Sequence, residues 1–359
     1  MSDTTLSIVV PTYNERDNIR PLVERLGKAL EGRKYEVLFI DDNSRDGTAE
    51  AASAMAPHYP VRIIVRTKER GLGSAVVHGF KNSTGDIICV MDADLQHPPE
   101  VVADLLRSVE SGADIAIGSR YVKGGGCEGW SLTRRIISKG AIFLSHLLLP
   151  RTRGINDPMS GLFMLRRHVV EGANLQPTGY KILLEILIEG HFNRVAEVPY
   201  GFKVREKGES KLSSKTQIDY LKHLYSLMKR SGELARFIKF AIVGGSGVLV
   251  NLGIYVLLTR LLSLNEYVAN VLSFEASVIS NFVLNNYFTF SDRRGRGGFP
   301  FLLQFVKFNV VSLGGLLIQA GSIRLFYEIM GINDVVALAI GIVIATLWNY
   351  FLNSWFTWK

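Results

Sequence analysis

Residues 91 to 100 read Met-Asp-Ala-Asp-Leu-Gln-His-Pro-Pro-Glu, directly after the apolar run Ile87-Ile88-Cys89-Val90. Two carboxylates and an amide thus stand at i, i+2 and i+4 where a strand runs out. Side chains two apart on a strand share a face, so Asp92, Asp94 and Gln96 can converge on one point. They are hard oxygen donors, suited to Mg²⁺ or Mn²⁺ with coordination positions left for phosphate oxygens. Without a cation, two neighbouring carboxylates would repel. The chemistry this stretch can do is the handling of a diphosphate. His97, beside Pro98-Pro99, reads as a turn residue rather than a ligand.

The elements that must hold these groups are short apolar runs alternating with helical patterns. Leu6–Val10, Val37–Ile40, Val61–Val65, Ile87–Val90 and Ala113–Ile117 read as strands. Asn18–Leu30 reads as an amphipathic helix with Ile19, Leu22, Val23, Leu26 and Leu30 on one face, and Thr48–Met55 as a second helix. Strands buried on both faces and alternating with helices predict an α/β fold with a mostly parallel, Rossmann-like sheet. Ligands of such sheets bind beyond the carboxyl ends of the strands. There the sequence places Pro11-Thr12-Tyr13-Asn14-Glu15, then Ile40-Asp41-Asp42-Asn43-Ser44, Arg70-Gly71-Leu72-Gly73, and Asp92-Ala93-Asp94. Asp41 to Ser44 also suit a helix cap. Gly71 and Gly73 do not complete a dinucleotide-binding pattern, which argues against NAD.

The chain has 359 residues and a net charge of +8. No nucleic-acid-binding motif is present, so the basic residues are assigned to phosphates and lipid headgroups rather than to nucleic acid. Residues 1–5 are polar and the run after them is only strand-length, so no signal peptide is expected. Two cysteines, Cys89 and Cys127, make no disulfide framework.

The motifs fall in one order. They are residues 10–15, 40–44 with Asp46-Gly47-Thr48, and 91–99. Then come Gly118-Ser119-Arg120-Tyr121, Gly129-Trp130-Ser131 with Arg134 to Ala141, Asp157 to Phe163, and Gly208-Glu209-Ser210-Lys211-Leu212. In this set the chain resembles the inverting family-2 glycosyltransferases of GT-A fold, and most closely the dolichol-phosphate mannosyltransferases. The Gln-x-x-Arg-Trp motif of processive polysaccharide synthases is absent. The resemblance implies that Pro11, Tyr13, Glu15 and Asp42 hold the guanosine of GDP-mannose, with Ile40, Asp41 and Ala93 in the same donor-binding set. It implies that Asp92, Asp94 and Gln96 hold Mg²⁺ or Mn²⁺ and the donor diphosphate. Arg120 and Arg134 would meet sugar or acceptor phosphate, and Arg205 and Lys211 would clamp phosphates. The implied acceptor is dolichyl or another polyprenyl phosphate. A phosphate monoester is already an anionic nucleophile, so the site needs cations rather than a general base. The implied reaction is inversion to a β-linked mannosyl phosphate. Alternatives are a UDP-glucose:undecaprenyl-phosphate glucosyltransferase, a lipid-sugar flippase component, and a transferase with a soluble acceptor.

Residues 213–235 read as an interfacial helix or linker between a catalytic part, 1–212, and a membrane part, 236–359. Residues 130–150 read as another interfacial helix, with Arg134, Arg135 and Lys139 toward headgroups. Apolar segments follow at about Phe237–Leu258, Tyr267–Phe290, Phe299–Ile323 and Val335–Trp358, each long enough to span a bilayer. Arg293, Arg294 and Arg296 lie between the second and third, which by the positive-inside rule puts this loop, the catalytic part and Lys359 in the cytoplasm. The membrane part is an internal repeat. Phe237-Ile238-Lys239-Phe240 recurs as Phe305-Val306-Lys307-Phe308, and Asn281 to Asn285 as Asn349 to Asn353, both at an offset of 68. Two helical hairpins in parallel orientation are expected. Glu275 and Arg324, within or at the ends of spans, are expected to pair or snorkel.

Overall fold

The computed structural model describes residues 5–176, 181–203, 214–295 and 298–359. It divides into two compact units, Met1–Leu227 and Met228–Lys359.

The first unit is built on strands β1 (Leu6–Thr12), β2 (Tyr35–Asp41), β3 (Val61–Val65), β4 (Ile87–Val90) and β5 (Ile115–Ser119), followed by the two-residue β6 (Gly126–Cys127). Further along come β7 (Phe163–Arg166), β8 (Val195–Pro199) and β9 (Gly201–Phe202). Seven of them form one sheet in the order β3-β2-β1-β4-β7-β5-β8, and β6 pairs with β9 beside it. All pairings in the main sheet are parallel except those of β7, which runs antiparallel between β4 and β5. The sequence expectation of a mostly parallel sheet therefore holds, with one reversed strand inserted at its centre.

Helices α1 (Arg16–Ala29), α2 (Thr48–Met55), α3 (Leu72–Asn82), α4 (Val101–Glu110), α5 (Leu132–Leu148), α6 (Ile182–Glu189) and α7 (Ser214–Arg230) complete this unit and lead out of it. The face expected of α1 is the one it buries: Ile19, Leu22, Val23 and Leu26. Each such side chain contributes about 2 kcal/mol of hydrophobic free energy. They join Ile8, Val10 and Cys89 in a core on one side of the sheet, while Val9, Ile88 and α6 form the core on the other. The strands are thus apolar on both faces, as their sequences require.

The second unit holds α8 (Glu233–Val256), α9 (Glu266–Leu284), α10 (Gly298–Ile323) and α11 (Asp334–Leu352), each ending in a π-helical turn. With those turns the helices run Glu233–Leu261, Glu266–Thr289, Gly298–Ile329 and Asp334–Thr357, long and apolar enough to cross a membrane. α8 packs on α9 and α10 on α11, giving the two expected hairpins. Shifting residue numbers by 68 while exchanging the hairpins maps one aromatic contact onto another. Phe237 lies 5.0 Å from Tyr350 and Phe305 5.1 Å from Phe282. Phe240 lies 5.5 Å from Tyr350 and Phe308 5.7 Å from Phe282. Phe290 and Trp358, equivalent to each other, stack at 4.4 Å. Reciprocal contacts of this kind define a two-fold axis between the hairpins, passing beside that stacked pair. Some positions depart from it, Glu233 among them. Glu233 accepts hydrogen bonds from Tyr350 and from Arg293, whereas its counterpart Phe301 packs edge-on against Phe282.

Arg324 pairs with Glu328 at 3.7 Å on the exposed end of its span, as expected. Glu275 is exposed on α9, and no ion pair holds it among the described residues.

Candidate active site

Five strands, β1 to β5, deliver the site, and three of their ends are strained. Asn14, Asn43 and Leu95 follow β1, β2 and β4, and all three adopt positive φ of 58–59°. Such backbone persists where surrounding contacts enforce it and clusters at functional sites. After β1, Asn14 is pinned by Ser44, whose hydroxyl accepts its N–H at 2.8 Å. Tyr13 is left exposed with the Arg70 guanidinium 5.5 Å above its ring. Glu15 accepts from Asn18 at 2.6 Å, and Pro11 is half-buried at the end of β1.

The two aspartates after β2 do different work. Asp41 is fully buried and accepts from the Thr12 hydroxyl, the Ser44 hydroxyl and the Ser44 N–H. It builds the turn. Asp42 is held by the buried Arg66, whose Nε donates at 2.7 Å, and by the Gly71 N–H, also at 2.7 Å. Arg66 additionally donates to the Gly71 carbonyl and the Ser74 hydroxyl. One guanidinium thus fixes the acidic turn after β2 against the glycine turn before α3. The side chains of Ile40 and Ala93 lie in the hydrophobic cores. Any contact they make with a donor would be through their backbones.

After β4, Asp94 is nearly buried and accepts the Gln96 N–H at 3.1 Å, closing a tight turn. Gln96 donates its side-chain amide to the Lys203 carbonyl at 3.1 Å, and Lys203 returns its N–H to the Gln96 carbonyl. Arg205 and Lys211 lie outside the described residues. Asp92 retains about a third of its side-chain surface. Among the described residues no three His, Cys, Asp or Glu side chains gather to hold a metal. Two carboxylates and an amide are an incomplete hard-oxygen shell, and that fits Mg²⁺ or Mn²⁺ bound together with phosphate oxygens.

His97 does more than occupy a turn. Its ring is buried, 5.5 Å from Tyr200 and 5.4 Å from Phe202, with Nδ1 3.6 Å from Asp92. It stands in the bend after β4, as expected, and its buried ring also forms a wall of the site. An Asp–His pair therefore exists, but it makes a poor base: burial pushes the imidazole pKa down to about 4. Gly161 fits against the same two groups. A Cβ there would sit 2.9 Å from Asp92 Oδ2 and 3.0 Å from His97 Cε1. Gly161→Ala is expected to displace Asp92 and to raise the metal concentration for half-maximal activity at least tenfold, with the melting temperature nearly unchanged. Metal titration of activity checks this, and wild-type metal dependence would count against the placement of Asp92.

Cations gather at the site as well. Arg120 grips the fully buried Asp157 through two bonds of 2.7 Å. Burial alone would lower the guanidinium pKa, but Asp157 outweighs it and the net shift is upward. Arg120 lies 5.3 Å and Arg134 4.2 Å from the Trp130 ring centre, so one indole carries both cations. Lys181, just before α6, donates to the Met159 carbonyl at 3.2 Å. Burial and the nearby Arg120 push its ammonium pKa down to about 8.

Sequence reasoning placed Asp92, Asp94, Gln96, Asp42 and the two arginines at this edge. It did not single out Arg66, Asp157 or Lys181 as site residues. The signals were present: Arg66 is the first residue beyond β3, and Lys181 immediately precedes the apolar run Ile182-Leu183-Leu184.

Comparison with known proteins agrees with this geometry. Residues 7–172 match glycosyl transferase family 2, and residues 239–358 match the GtrA/DPMS transmembrane domain. A dolichol-phosphate mannosyltransferase of Pyrococcus furiosus is 47% identical over 98% of this chain and 99% of its own. One from Saccharomyces cerevisiae is 42% identical, over 65% of this chain and 92% of its own. Glucosyl-3-phosphoglycerate synthase from Mycobacterium tuberculosis, solved with Mn²⁺, UDP-glucose and phosphoglyceric acid, superposes with a TM-score of 0.52 at 21% identity. That match covers 64% of this chain and 80% of the synthase and shows a shared GT-A fold. The near-complete coverage at 47% identity spans both units, and the chain belongs to the dolichol-phosphate mannosyltransferase family.

Proposed function

We propose that the chain transfers mannose from GDP-mannose to dolichyl phosphate at the cytoplasmic face of a membrane, with inversion at the anomeric carbon. The observation that carries this reading is the make-up of the site. Arg120 and Arg134 share the Trp130 ring, Lys181 is within electrostatic reach of both Arg120 and Asp92, and the histidine beside Asp92 is buried and held neutral. A site of that kind suits an acceptor that is already an anion.

An acceptor phosphate oxygen forms the new bond to C1 of mannose as the bond from C1 to the GDP oxygen breaks. The electron pair leaves on the diphosphate, and no proton has to be removed. A divalent metal held by Asp92, Asp94 and Gln96 would neutralise charge on that leaving group. Asp42, fixed by Arg66, would orient the base end of the donor. Arg120 and Arg134, stiffened on Trp130, would bring the two anions together. Displacement in one step from an α-linked donor yields the β-linked mannosyl phosphate. Apolar side chains on α5 (Leu132, Ile136 and Phe143) and on α7 (Ile218 and Leu221) are exposed. They suit helices lying in the interface where a lipid acceptor presents its phosphate.

The test is transfer of radiolabelled sugar to dolichyl phosphate in detergent, with GDP-mannose and UDP-glucose in parallel and with Mg²⁺, Mn²⁺ or EDTA. Labelling from GDP-mannose alone, abolished by EDTA and giving a β-linked product, is the expected result. Labelling from UDP-glucose alone would overturn the donor, and an α-linked product would overturn the single displacement.

A further inference from the structure

Phe240 and Phe308 are buried in the aromatic core of the second unit. That burial fixes the rotation of α8 and α10, so the preceding lysines, Lys239 and Lys307, turn toward the outside, exposed and half-exposed respectively. Neither ammonium hangs free. Lys239 Nζ lies 4.8 Å from the ring centre of Phe288, and Lys307 Nζ lies 4.8 Å from that of Phe356. These residues are equivalent through the 68-residue repeat, so one arrangement occurs twice in the chain. Its surroundings are repeated too. Ile238 and Ile242 beside the first lysine are 50% and 62% exposed, and Val306 and Val310 beside the second are 51% and 62% exposed.

The charge on both lysines is uncompensated. Among the described residues neither is paired with a carboxylate, whereas Arg236 and Arg293 nearby are matched by Glu233 and Asp292. Lys239 lies three residues beyond Arg236, about 4.5 Å further along the helix. If the four helices cross a membrane, that is the depth just inside the charged rim, where lipid phosphates lie. The phenyl face holds the ammonium at one place by cation–π attraction. The exposed aliphatic residues alongside offer a surface for acyl chains.

We propose that the four-helix unit carries two equivalent sites for the headgroup phosphate of an anionic phospholipid, one at Lys239 with Phe288 and one at Lys307 with Phe356. The acyl surface flanking each lysine favours a lipid over free phosphate, and the duplication favours a bulk membrane lipid over a single acceptor.

The experiment uses the full chain in a neutral detergent, titrated with short-chain phosphatidylglycerol or phosphatidylcholine and read by native mass spectrometry. Two phosphatidylglycerols of similar affinity should bind, more tightly than phosphatidylcholine. Lys239→Gln and Lys307→Gln should each weaken one site about fivefold, as expected for one lysine at a charged lipid surface, and the double variant should lose both. Lys→Arg at either position should keep its site, which separates lost recognition from lost folding. Inorganic phosphate should not compete. Unchanged binding to the double glutamine variant would overturn the proposal. So would equal binding of phosphatidylcholine, displacement by inorganic phosphate, or displacement of both lipids by stoichiometric dolichyl phosphate.

Discussion

Asp94→Asn is expected to lower mannosyl transfer by about 10²–10³-fold, the equivalent of losing several kcal/mol of charge stabilisation on the leaving diphosphate. The substitution is chosen for what it retains. Asparagine keeps a side-chain oxygen that can accept the Gln96 N–H, the bond that closes the turn after β4. It removes only the negative charge. The strained Leu95 between them should therefore hold its conformation. The measurement is kcat and metal titration of the full-length variant beside its thermal stability. A kcat within a few-fold of the parent would remove Asp94 from the chemistry and with it the proposed metal site.

Asp157→Asn should produce the largest loss of stability. Asp157 has no exposure and is the counter-charge of Arg120, which is itself nearly inaccessible. Removing one partner of a buried pair strands the other, at a cost of about 3–5 kcal/mol. For a unit of this size the fall in melting temperature is about 10 °C. Asp157→Asn combined with Arg120→Met should recover part of that stability but none of the activity. This split separates the two roles of Arg120, as the partner of Asp157 and as a cation facing substrate. A single Asp157→Asn variant as stable as the parent would show that the pair carries little of the fold.

The strands were legible because parallel strands covered on both faces must be apolar throughout, so Leu6–Val10 and Ile87–Val90 stand out with polar residues stacked at one end. The spans were legible for a similar reason, since a bilayer demands about 20 apolar residues in a row. The reversal of β7 was not legible. Phe163–Arg166 is four residues long, and its direction is set by pairing with β4 and β5 rather than by its own composition. The partners of the site residues were hidden by distance along the chain. Arg120 and Asp157 are 37 residues apart, and Arg66 reaches back 24 residues to Asp42. Pro98-Pro99 announce the turn in which His97 stands, but nothing local announces its burial. The aromatic rings that bury it, Tyr200 and Phe202, arrive from a part of the chain a hundred residues later.

The two-fold axis between the hairpins bears on what each half is free to be. A contact that maps onto itself under exchange of halves is the isologous interface of a symmetric dimer. In an unfused dimer of identical hairpins one residue would have to serve at both equivalent positions, so a change useful at one is forced on the other. Joining the copies in a single chain lifts that constraint. The exchange of Glu233 with Tyr350 for Phe301 with Phe282 is such a release. One copy carries an ionic latch at this position and the other an aromatic seal, so the two halves of a near-symmetric object are not interchangeable.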